Sequence, residues 1–163
     1  MTDVTITTLP DAPLHAFEIW SNPAVVAERF KAAMGFALPP MGRSDGSEQS
    51  QFIRYEPTVW LAEGDVAALP EILADDGALT AIGGGIVRVR LCGKDWRRLL
   101  MEGGVFDAEN PAFTEGCSAA TIIEHVNVRL HVVHDDCCDA YVPRSFSAAL
   151  LHFWQQAADT LQY

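Results

Sequence analysis

The sequence predicts an α+β fold of two split-βαβ, ferredoxin-like subdomains, with mostly antiparallel sheets and helices packed on one face. Three observations carry this. Segments follow the order strand, helix, two strands, helix, two strands, helix, three strands, helix. Each half of that order holds the same strand–helix–strand–strand–helix pattern. Strand segments alternate, as Val87, Val89 and Leu91 do against Arg88 and Arg90, which suits a sheet with one buried face. The expected division is a flexible N-terminal tail over 1–13 and one domain over 14–163, with subdomains of about 14–82 and 86–163.

After the tail, LHAFEIW (14–20) reads as a strand. A helix follows, with Asn22 as its N-cap, Pro23 at its first position and Gly35 as its left-handed stop. Val26, Phe30 and Ala33 or Met34 give it one buried face. Residues 36–51 have the Pro, Gly, Ser and charge of an exposed loop. FIRYEPTVWLA (52–62) gives two short strands, with Pro57 limiting their pairing. A short helix spans 70–77. ALTAI and IVRVRLCG are strands hinged at Gly83, Gly84 and Gly85, and KDWRRLLMEGG (94–104) is a helix ended by glycines. VFDAENPAFTEG (105–116) is a loop. CSAATII and VNVRLHVV are strands joined at Glu124 and His125, and DAYV (139–142) is the last strand. The closing helix is capped by Ser145 and carries Phe146, Leu150, Phe153, Trp154, Ala157 and Leu161 on one apolar stripe.

Eleven basic against twenty-two acidic residues give a formal charge of −11. Nucleic acid and anionic membranes select for basic patches, so both are disfavoured as partners. No run is apolar enough to span a bilayer. MTDVTITTLPDAP lacks the basic start and apolar run of a secretory signal, so the expected location is the cytoplasm. Cys92, Cys117, Cys137 and Cys138 are accordingly expected as reduced thiols.

HVVHDDCCDAYVPRSF (131–146) gathers metal-ligand residue types, but a metal needs converging side chains. His131 and His134 are three apart on a strand, and odd spacing sends them to opposite faces. Cys137 and Cys138 are adjacent and also diverge. HDDC (134–137) reads instead as a hairpin tip, where Asp caps backbone donors. A metal module built on His131, His134 and Cys137 is the alternative. GGG at 83–85 leads into a strand, whereas phosphate-binding glycine loops lead into a helix. There is no GxSxG elbow, and Cys117 with a distant His is a nucleophile pair that nothing else in the sequence supports. Asp75–Asp76 and Asp135–Asp136 fall in turns. Phe153 and Trp154 read as core or as a subunit contact.

From LCGKDWRRLLMEGG to the last helix, the chain resembles the gamma subunit family of heterotetrameric sarcosine oxidase. The family's Asp-x-x-Tyr-Val-x-Arg-Ser-Phe motif is matched by Asp139, Tyr141, Val142, Arg144, Ser145 and Phe146, with one residue rather than two after the Asp. Its aromatic loop is matched by Phe106, Asp107, Pro111, Phe113 and Gly116, with Gly104 and Val105 where Gly-Cys is usual. Upstream, ALPP (37–40) and Pro57, Trp60 and Leu61 resemble family segments. AIGGGIVRVRLCG lacks the family's Asp and Ser. The resemblance spans roughly 36–158, and its last forty or so residues are the most specific.

The resemblance implies a fold related to the folate-binding domains of the glycine-cleavage T protein. It also implies a non-catalytic place beside alpha, beta and delta subunits in a complex that oxidatively demethylates sarcosine or a similar N-methyl amine. Flavin, NAD and tetrahydrofolate are then expected in the partner subunits, with no cofactor, metal or catalytic residue in this chain. Tyr141, Arg144, Phe146 and Trp154 are the expected interface residues. The alternatives are a stand-alone folate-binding or one-carbon protein of the same fold, and a homo-oligomer without oxidase partners.

Overall fold

The computed structural model describes residues 2–161. They form two units: Ala12–Gly83, and a second that joins the segment ending at Asp11 to the chain from Gly84 onward. Among the described residues no helix is long and apolar enough to cross a membrane.

The chain opens on β1 (Thr5–Thr8), which belongs to the second unit. The Ala12–Gly83 unit runs β2 (Leu14–Ile19), α1 (Pro23–Met34), β3 (Ser44–Gly46), β4 (Ser50–Arg54), β5 (Val59–Gly64), α2 (Leu69–Leu73) and β6 (Gly77–Ala81). Its sheet order is β3-β4-β5-β2-β6, with every pair antiparallel. Phe17, Phe52 and Trp60 from the sheet pack against Val26, Phe30, Leu69 and Leu73 from the helices. Phe30 meets Phe52 edge-on at 5.0 Å, and Phe17 stacks on Trp60 at 5.5 Å. The Trp60 indole N–H donates to the Pro39 carbonyl, so the ALPP segment is tied to the same aromatic core.

Three readings change in this unit. The 36–51 loop contains β3, which folds back on β4. Pro57 sits in the turn beyond the β4–β5 ladder, which runs unbroken from Ser50↔Gly64 to Arg54↔Trp60. Asn22 does not cap α1 with its side chain; its own backbone is left-handed (φ 46°) and its amide donates to Asp76 Oδ1 at 2.8 Å. Asp76, in the turn before β6, also accepts from Ser21 Oγ and Arg29 Nη1. Those bonds, the hydroxyl and amide first, hold its carboxyl below its ordinary value. Gly35 stops α1 as expected (φ 84°), with its N–H bonded to the Lys31 carbonyl.

The second unit continues with β7 (Ile86–Cys92), α3 (Trp96–Met101), β8 (Ser118–Ile123), β9 (Val126–His134), β10 (Cys137–Pro143) and α4 (Arg144–Thr160). Its sheet order is β1-β7-β10-β9-β8. Val89, Leu91, Leu130, Val132 and Ala140 line one face, under Trp96, Leu99 and Leu100 of α3 and Leu150 and Trp154 of α4. Glu124 and His125 both take positive φ (47° and 66°), the conformation of a tight two-residue hairpin turn. The helix expected over 94–104 is shorter. The last helix starts at Arg144, directly after Pro143, so Ser145 lies inside it rather than capping it.

The two units share one topology: strand, helix, three-strand meander, helix. In Ala12–Gly83 the place beside the first strand is filled by β6, which follows the second helix. In the second unit the equivalent place, beside β7, is filled by β1 from the start of the chain. The expected flexible tail is therefore an edge strand. Ile6 pairs with Leu91 and packs on the core. Asp3 and Asp95 exchange bonds, Asp3 N–H to Asp95 Oδ2 and Asp95 N–H to Asp3 O. Thr2 Oγ1 donates to the Ala158 carbonyl of α4. A four-residue strand with one large apolar side chain is too short for its alternation to be read.

The cysteines also depart from expectation. Cys92 and Cys137 face each other across β7 and β10, Cα atoms 4.3 Å apart, and are joined as a disulfide. They lie 45 residues apart, and only strand register brings them together. Cys117 and Cys138 lie outside this bridge and are buried.

If β1 completes this sheet, Ile6→Asp should destabilise the protein by about 2 kcal/mol or more, because a charge replaces an apolar side chain against the core. Urea unfolding followed by tryptophan fluorescence measures it. An unchanged midpoint would mean that β1 is dispensable.

Candidate functional site

Register assembles a polar row across the second sheet. Thr7 lies opposite Arg90, Arg90 opposite Asp139, Asp139 opposite His131, and His131 opposite Ser118. These residues alternate with Leu91, Cys138 and Leu130, so they occupy the face away from the apolar cluster. Asp139 is 3%, His131 7% and Ser118 6% exposed. Arg90 grips Asp139 with two parallel bonds, Nε to Oδ1 at 2.7 Å and Nη2 to Oδ2 at 2.8 Å. Burial pushes the His131 imidazole down to about 4; the Asp139 charge opposes this and the Arg90 charge adds to it. At neutral pH the row therefore holds an ion pair beside an uncharged imidazole. Asp139, His131 and Ser118 are buried, and Asp139 is held in both oxygens by Arg90, which suits a lock on register rather than a reacting centre.

The HDDC segment is the tip of the β9–β10 hairpin, as read from the sequence. Its carbonyls tie it to the start of α3: Asp136 O accepts from Gly93 N–H and Asp135 O from the Trp96 indole. His134 is exposed, 3.9 Å from Glu115. Cys137 is bonded to Cys92. Among the described residues, no group of three or more His, Cys, Asp or Glu could hold a metal ion.

The four residues expected at an interface divide. Trp154 is 0% and Tyr141 2% exposed, so neither offers a surface. Trp154 shares the helix face of Leu150 and Ala157, and Tyr141 belongs to β10, flanked on both sides by strands. Arg144 is exposed but occupied, donating to Asp11 Oδ1 and to the carbonyls of Gly84 and Ile86. Phe146 is 52% exposed.

Sequence reasoning missed two exposed apolar residues. An isolated antiparallel bridge pairs Gly104 with Ile123, and their chain neighbours Val105 and Ile122 are 95% and 53% exposed. Their signal was faint: Ile122 is an apolar residue on the outward face of an edge strand. Arg97 stacks on Trp96 and donates to the carbonyls of Ala108 and Phe113, while Phe106 meets Phe113 edge-on at 4.8 Å. The aromatic loop residues of the resemblance thus shape the loop that presents Val105.

Within Ala12–Gly83, a cavity of about 320 Å³ lies between the end of α1, the β3–β4 turn and the β5–α2 connection. Met34, Phe36, Val66 and Leu69 give it an apolar wall, and Gln49 and Asp65 add polar groups. No basic side chain lines it, so it does not suit a phosphate or polyglutamate tail.

No protein-family model matches the sequence, and neither does any curated protein. Solved structures do match in fold. One is the heterotetrameric sarcosine oxidase from Corynebacterium sp. U-96 in complex with pyrrole 2-carboxylate. It matches at a TM-score of 0.86 and 15% identity, over 98% of this chain and 86% of that one. The glycine cleavage system aminomethyltransferase T from Bartonella henselae matches at 0.64 and 14% identity, over 94% of this chain and 45% of that one. The fold implied by the sequence resemblance is the fold observed.

Two outcomes test the polar row. Arg90→Ala should cost roughly 3 kcal/mol, and more than Asp139→Ala, because it strands a buried carboxylate while the half-exposed guanidinium can turn to water. Equal small losses from both variants would refute the lock. Because His131 titrates lower folded than unfolded, the unfolded chain takes up its proton first. The contribution of His131 to stability should be full above pH 6.5 and fall as the pH drops towards about 4. His131→Gln should flatten that slope in urea titrations across this range; an unaltered slope would assign it to other groups.

Proposed function

We propose that this chain is a non-catalytic, gamma-type subunit of a heterotetrameric sarcosine oxidase-like complex in the cytoplasm. The complex would oxidatively demethylate an N-methyl amine, with flavin, NAD and tetrahydrofolate held by alpha, beta and delta partners. The observation that carries this reading is the near end-to-end fold match to one chain of a heterotetrameric sarcosine oxidase. The matched Asp139–Phe146 motif supports it from the sequence side. In this reading the chain's contribution is surface. Val105, Ile122 and Phe146 are the exposed large apolar side chains of the second unit, and a subunit contact would cover them.

Co-expression with the chains encoded beside it should yield a yellow complex of four different chains that makes hydrogen peroxide from sarcosine or a related amine. Val105→Asp combined with Ile122→Asp should lower recovery of the complex about tenfold or more, since charges in an apolar contact are desolvated unpaired. The isolated variant should keep the parent circular dichroism. A chain that purifies alone as a monomer, with no partner retained, overturns the reading. Tetrahydrofolate binding to that isolated chain, measured by calorimetry, would favour a stand-alone folate protein instead.

A further inference from the structure

We infer that Cys92 and Cys137 form a reversible dithiol–disulfide couple, a redox modification site that exchanges with small thiols and disulfides while the fold stays intact. The argument begins with register. The β7–β10 ladder pairs seven residues, from Cys137↔Cys92 to Pro143↔Ile86. The Cα separation at the cysteines, 4.3 Å, is close to the roughly 4.5 Å of an ordinary non-hydrogen-bonded antiparallel pair. The β7–β10 ladder sets that distance, with β1 paired to the far side of Cys92 and β9 paired to β10 through a register shift at Cys137. Breaking the sulfur bond leaves both side chains facing each other and asks nothing of the backbone. The bridge is therefore not what brings the strands together.

Access distinguishes this pair from the other cysteines. Cys92 and Cys137 are half-buried at the ends of their strands, next to the exposed Asp135–Asp136 turn. Cys117 and Cys138 are buried, and burial raises the Cys138 thiol far above its ordinary range, which keeps it protonated. Exchange needs a thiolate that an external sulfur can reach, so it is confined to the strand-end pair.

The chemistry balances with a low-molecular-weight disulfide as oxidant. A thiolate of the reduced pair attacks one sulfur of the external disulfide, forming a mixed disulfide and releasing one small thiolate. The second cysteine, as thiolate, attacks the protein sulfur of that mixed disulfide, closes Cys92–Cys137 and releases the second small thiolate. The two protons lost by the cysteines go to the two departing thiolates. Two protein thiols are oxidised and one external disulfide is reduced to two thiols. The reverse sequence, started by a small thiolate, reopens the bridge.

The full chain, equilibrated in mixtures of reduced and oxidised glutathione and then alkylated, tests this by peptide mass mapping. Cys92 and Cys137 should convert together as the mixture becomes reducing, with Cys117 and Cys138 unlabelled. Circular dichroism and amide protection of β7 and β10 should be the same in both forms. Cys92→Ser should trap one glutathione on Cys137; if that variant does not fold, the wild-type titration decides alone. Thiols that appear only in urea, loss of the fold on reduction, or two thiols that stay free in oxidised glutathione would each overturn the couple.

Discussion

A central strand needs a neighbour on each side, and in the second sheet β7 finds one of its neighbours at the far end of the sequence. Its β10 side is paired within the unit, while the other side would present a row of unpaired backbone groups. Among the described residues no strand follows α4 to take that place, as β6 does after α2 in the companion unit. β1 takes it. That pairing brings Ile6 onto the core, Asp3 onto the first residue before α3, Thr2 onto α4 and Asp11 onto Arg144. One four-residue strand thereby ties β7, the start of α3 and α4 together from the other end of the unit.

The polar row is the second constraint. A sheet whose strands carry strictly alternating faces has its register fixed by the penalty for slipping one residue. Here a slip of β10 would turn Asp139 into the cluster of Val89, Leu130 and Trp96 and turn Cys138 and Ala140 out. The bidentate Arg90–Asp139 pair and the neutral His131 beside it are compatible with one register only. The same register aligns Cys92 with Cys137, so the lock in mid-strand and the sulfur pair at the strand end report the same alignment.

Most of the fold was legible because the elements are well punctuated. Pro23 and Gly35 bracket α1, the Val87–Leu91 alternation marks β7, and the Phe146–Ala157 stripe marks α4. What escaped depends on distant pairing. Nothing around Thr5 announces a strand, because its reason for being one lies opposite, at Cys92. The cysteine bridge was hidden for the same reason. The four residues expected at an interface divide into two exposed and two buried. Residue type and motif alone point to Trp154 and Tyr141, and large aromatic residues serve cores and interfaces alike. Only coordinates separate the two uses. Several residues that carry the family resemblance, among them Trp60, Phe106, Phe113 and Arg144, hold loops and strand ends in place. Their work in this chain is to support the fold.

The order of the segments sets a schedule for assembly. Ala12–Gly83 is an insertion between two strands that must pair with each other, Thr5–Thr8 and Ile86–Cys92. A nascent chain therefore carries its first strand idle while the inserted unit is made and can collapse on its own core. Only when the later strand leaves the ribosome does the earlier one have anywhere to go, and until then it is a loose, threonine-rich leash on a body already formed.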